Sequence, residues 1–185
     1  MINHKLAGLI AIIISIGALF ADMYNLLFVV ANALGFSYVL LNLKDLLVTR
    51  FQFSMLFSSA FYFVIATFLF GPLVIVLPVF IGGPVVLVIR GLGYLILGCF
   101  LFTKWNQTSA LLRFFIGIIL ALGITQIHSA VWSFYPSALL VFSVDGLKIY
   151  GMIKALLQFA MYLLAGIILL RSTCSHTRAA DSLPR

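Results

Sequence analysis

Apolar residues run through this chain in long stretches, broken only at a few places by charge, proline or paired glycine. The apolar stretches cover residues 6–21, 24–43, 53–77, 85–102, 114–134 and 147–170. None alternates apolar and polar positions as a half-buried or barrel strand would. Most approach the about 20 residues needed to cross a bilayer core as a helix. Backbone polar groups in lipid must be satisfied within the segment, so the pattern predicts an all-α fold, a polytopic transmembrane bundle of six helical spans. Residues 1–170 form one transmembrane domain, and residues 171–185 read as a disordered polar tail.

The breaks between the runs set the topology. Residues 6–43 would reach about 57 Å as one helix, far beyond the bilayer core, so a tight hairpin is expected at Asp22-Met23-Tyr24-Asn25. Lys44, Asp45 and Arg50 mark the next loop. Pro72 and Pro78 are expected to kink or end the third span, Ile81-Gly82-Gly83-Pro84 reads as a turn, and Lys104 to Thr108 as a polar loop. The segment 137–146 is an apolar connection. With both termini inside, Lys5, Lys44, Arg50, Lys104, Arg113, Arg171, Arg178 and Arg185 all fall on the cytoplasmic side, and Lys148 alone, at the outer start of the sixth span, falls on the other. A five-span arrangement, with one tilted first span to about residue 30, moves only Lys5 to the wrong side. The N-terminal run resembles a signal peptide only loosely: cleavage after Ala21 puts Leu19 where a small residue is wanted. This reading places the chain in a bacterial inner (plasma) membrane with both termini cytoplasmic.

Composition supports the membrane reading. The chain has 185 residues, 64% of them hydrophobic and 8% charged, against about 25% charged in soluble domains. Mean hydropathy is +1.25. The net charge of +7 follows from basic residues dispersed at span ends. They form no basic groove, so no nucleic-acid partner is expected. Cys99 and Cys174 have no metal or disulfide spacing.

The fifth run carries a second pattern. Gly117, Ala121, Thr125, Ser129 and Ser133 recur every fourth residue and share one ridge of a helix. Small residues on a ridge let another helix approach closely in lipid, so this helix is expected to be a central packing post. Ala7, Ala11 and Ser15 repeat the pattern in the first run. Polar groups also interrupt the apolar runs: Arg90, Gln126, His128, Lys154 and Gln158. In the six-span arrangement Arg90, His128 and Lys154 all lie about 8–10 Å below the outer boundary, with the two glutamines a turn or less deeper. Intramembrane charge is expensive, so these five residues are the candidate ligand-binding set, suited to a carboxylate, a phosphate or a lipid head group.

Catalytic motifs are missing. The sequence holds no HExxH, GxSxG, Walker A or GxGxxG, and Gly91-Leu92-Gly93 lacks a third glycine. With four acids in the chain, none deep in a span, paired-carboxylate chemistry has no basis. No enzyme, cofactor or metal is expected. Two readings follow. One is a non-catalytic accessory, assembly or stress-protection component, partnered by the bilayer and by another membrane protein or a second copy of itself. The alternative is a small transporter or channel for an anionic solute or lipid head group.

Overall fold

A computed structural model describes residues 3–20, 26–76, 82–134 and 144–181. Among these residues there are six α-helices and no strand: α1 (His4–Phe20), α2 (Leu26–Phe51), α3 (Met55–Val76), α4 (Gly82–Phe102), α5 (Ala110–Phe134) and α6 (Val144–Asp181). A short 3-10 turn, Trp105–Gln107, joins α4 to α5. Three stretches are long and apolar enough to cross a membrane, Gly83–Phe102, Ala110–Ser133 and Lys148–Ser172; His4–Gly17 and Met55–Phe70 are apolar but shorter.

Local chemistry explains several boundaries. Asn3 caps α1, its side-chain oxygen accepting from the Leu6 N–H and its carbonyl from the Ala7 N–H. Ser109 does the same for α5 through the N–H groups of Leu112 and Arg113. α4 begins at Gly82, inside the expected turn, because proline in a first helical turn removes an N–H that has no intrahelical partner anyway; Pro84 sits there. Pro72 does not end α3, which runs on to Val76.

Two boundaries differ from the expectation. Lys44, Asp45 and Arg50 are helical, for α2 continues to Phe51. Charge stops a span but does not break a helix; the stop is Gln52, whose φ of 51° is the left-handed conformation typical of helix ends. The region from 171, expected to be disordered, is helical as far as Asp181, since extending a formed helix needs no new nucleus. The expected hairpin at 22–25, Pro78 and most of the 137–146 connection lie outside the described residues.

The helices close a ring. Each packs on its neighbours in sequence, α6 returns to α1, and α2 meets α6 across the middle. The α4–α5 and α1–α6 pairs pack most extensively, each through a reciprocal glycine contact. A Cβ on Gly91 would lie 2.9 Å from the Gly123 carbonyl, and one on Gly123 would lie 3.0 Å from that of Gly91. Gly8 and Gly166 repeat this between α1 and α6. Ala7, Ala11 and Ser15 of α1 are fully buried. α5 is not the central post that its ridge led us to expect. Its principal neighbours are α4 and α6, while α2 and α6 each contact three helices. One face of α5 is open, with Phe114, Ile124 and Val131 exposed.

Within the ring the core is built from Phe36, Leu40, Leu43 and Leu47 of α2, Phe57 and Phe61 of α3, Leu97 and Leu101 of α4, Phe115, Ile116 and Ile119 of α5, and Tyr162 of α6. The outer surface is apolar as well: Met55, Leu56, Phe114, Ile13 and Met152 are all more than half exposed.

Candidate functional site

The core-facing stripes of four helices change character at the same end of the bundle. Residues at spacings of three and four share a helix face. On α2 the stripe reads Leu47, Leu43, Leu40, Phe36, then Asn32. On α4 it reads Leu101, Leu97, Tyr94, then Arg90. On α5 it reads Phe115, Ile119, Leu122, then Gln126, and on α6 Leu169, Ala165, Tyr162, then Gln158 and Lys154. Antiparallel packing puts the N-terminal halves of α2, α4 and α6 at the same end of the bundle as the C-terminal half of α5, so the five polar residues all lie at that end of their stripes. The remainder of each stripe is buried hydrocarbon, apart from the two tyrosines.

An aromatic layer separates the two zones. Tyr162 packs on Phe36 at 4.1 Å between ring centroids, Phe36 on Phe68 at 4.9 Å, and Phe68 on Tyr94 at 6.3 Å. The chain of rings crosses from α6 through α2 and α3 to α4. Arg90 rests on this layer. Its guanidinium carbon is 4.4 Å from the Phe68 ring centre, and Nη2 donates to the Thr67 carbonyl at 2.7 Å. Its charge acts on Tyr94, Tyr162 and Lys154 together. Gln158 donates to the Tyr162 hydroxyl at 2.7 Å, and Asn32 bonds the same hydroxyl.

Lys154 faces the seam between α5 and α6, where its ammonium donates to Ser129 Oγ at 3.3 Å. Tyr150 organises that seam. Its hydroxyl donates to the Thr125 carbonyl at 2.7 Å and lies 3.1 Å from Ser129 Oγ and 3.3 Å from His128 Nδ1. Ser129 donates to the same carbonyl at 2.8 Å. His128 is exposed, its ring tilted against that of Trp132 with centroids 4.3 Å apart.

Of the five candidate ligand-binding residues, Arg90, Gln126 and Gln158 therefore lie on the core stripes, Lys154 continues the α6 stripe with its ammonium in the α5–α6 seam, and His128 lies on the outer side of that seam. Of the small-residue ridge, Thr125 and Ser129 join that seam. Ala121 is half-buried, Ser133 is exposed, and Gly117 is exposed with nothing within 4 Å of a Cβ placed on it. Asn32, Thr67, Tyr94, Tyr150 and Tyr162 were not anticipated. The signal for Asn32 was present, one turn before Phe36 on an apolar stripe, but it needs the core face to be known.

Two electrostatic features stand out. Among the residues with described side chains the one ion pair is Lys44–Asp45, at 2.9 Å, so Arg90 and Lys154 share a region with no described carboxylate. Three polar atoms there are buried without a described partner: Arg90 Nε, Gln126 Oε1 and Asn32 Oδ1. Gln126 is 4% exposed. No group of His, Cys, Asp or Glu suited to a metal ion occurs among the described residues. Comparison with family models, curated proteins and solved structures finds no match to this chain.

Proposed function

We propose that this is a six-span membrane protein with both termini cytoplasmic, which binds an anionic group at the polar end of its core, on the outer side. The observation that carries the reading is the presence of two half-buried cations, Arg90 and Lys154, on core-facing stripes at one end of the bundle, neither with a described acid beside it. Placing two like charges in one low-dielectric region is unfavourable unless an anion is there to share them. A purely structural accessory protein has no need of either charge, and leucine at both positions would continue the stripes that already pack α4 and α6.

The aromatic layer favours binding over open conduction. Tyr162, Phe36, Phe68 and Tyr94 form a chain of rings across the core, with buried leucines beyond them. Any translocation would require this layer to part. Outward-facing Phe, Leu, Ile and Met suit a lipid environment. The activity that this reading supports is recognition of the anion.

The test is native mass spectrometry of the purified protein titrated with an anionic lipid and with short-chain organic anions. Wild type is expected to retain one anion per chain. Arg90→Gln and Lys154→Gln should each weaken retention by about tenfold or more, as loss of a hydrogen bond to a charged group does. Unchanged retention in both variants would remove the proposal.

A further inference from the structure

We infer that the bound anion also carries hydrogen-bond donors, so that its acid group meets Arg90 and Lys154 while a hydroxyl or amine meets Gln126 and Asn32; this rests on the anion-binding reading above.

The argument starts from the unpaired atoms. A buried amide oxygen without a donor costs about 1–3 kcal/mol, and native proteins leave few such groups. Here two occur at one end of one core. Gln126 Oε1 belongs to a side chain that is 4% exposed, on the stripe that continues Phe115, Ile119 and Leu122 inward. Asn32 Oδ1 is likewise buried without a described partner, and Asn32 continues the Phe36 stripe. Both atoms accept only. An inorganic anion such as chloride satisfies neither.

Cations and acceptors together discriminate by chemistry. Arg90 Nε–H, also unpaired, offers a donor to an acid oxygen, and Lys154 adds an ammonium. Gln126 and Asn32 require the ligand to donate in return. A site built to bond a ligand hydroxyl rejects the analogue lacking it, because the site's own buried group is then left unpaired. The class this selects is a hydroxylated or amino-bearing organic acid or phosphate diester. A lipid head group and a free metabolite both supply that chemistry.

A matched pair of lipids tests it. Phosphatidylglycerol and phosphatidylmethanol with identical acyl chains carry the same charge, and only the first has head-group hydroxyls. Titrated into wild type and read by native mass spectrometry, phosphatidylglycerol is expected to bind about tenfold tighter. In Gln126→Leu and Asn32→Leu the preference should shrink toward unity while both lipids still bind. Equal affinity in wild type overturns the inference without recourse to any variant, and so does a preference that survives both substitutions. Failure of the underlying reading looks different, because Arg90→Gln would then leave binding of both lipids untouched. Glycerol 1-phosphate against methyl phosphate, measured by calorimetry, separates the sources. The same preference without acyl chains identifies a free solute, and its absence there with preference retained among lipids identifies a head group.

Discussion

On the proposed anion-binding reading, stability and binding pull in opposite directions at Lys154. Its ammonium is held by one long contact to Ser129 Oγ and faces the charge of Arg90. Without an anion the two cations repel in a partly desolvated region. Lys154→Met keeps the side chain's length and removes the repulsion, so in anion-free detergent its thermal midpoint should equal or exceed that of wild type, while anion retention falls. A destabilised Lys154→Met would show that the charge holds the fold. Tyr150 makes the contrasting case. Its hydroxyl ties α6 to the Thr125 carbonyl and to Ser129, so Tyr150→Phe should cost about 0.5–1.5 kcal/mol, measured by thermal or denaturant unfolding.

Close approach sets the behaviour of the helices. Gly123 and Gly91 bring α4 and α5 backbone to backbone, and a Cβ on Gly123 would fall within 3.0 Å of a carbonyl and 2.8 Å of Leu95. Gly123→Val should destabilise by about 1–3 kcal/mol through overpacking. Gly117, on the same helix and part of the four-residue ridge, meets open space. Gly117→Ala should be neutral or stabilising by up to about 1 kcal/mol, from helix propensity alone. Comparing the two thermal midpoints checks the assignment of the packing face. At the end of α2, Gln52 occupies a left-handed conformation that glycine adopts without strain, so Gln52→Gly should stabilise by up to about 1 kcal/mol.

For the molecule as a whole, topology is the measurable claim. In a background with Cys99 and Cys174 replaced by serine, Lys148→Cys should react with an impermeant maleimide added outside intact cells. Lys104→Cys, in the turn between α4 and α5, should react only after lysis. The reverse pattern would invert the bundle and place the polar end of the core on the cytoplasmic side.

Much of this was legible in the order of residues. Six helical runs follow from apolar length and backbone satisfaction in lipid, and the C-terminal ends of α4 and α5 fall at the expected residues, Phe102 and Phe134. Arg90, Gln126, Lys154 and Gln158 stood out because polar groups are costly within apolar runs. Their convergence was not legible in the same way. A run that is apolar all round gives no sign of which face turns inward, so a four-residue ridge on α5 carried no more information than the adjacent face bearing Gly123. Asn32, Tyr94 and Tyr162 became part of the site only when packing fixed the core face of α2, α4 and α6. Residue order alone was enough for the helical class and the inventory of polar groups within the apolar runs, because those depend on local composition. Tertiary structure decided which of those groups meet, because contacts between helices far apart in sequence depend on rotation about each helix axis, which a uniformly apolar surface leaves open.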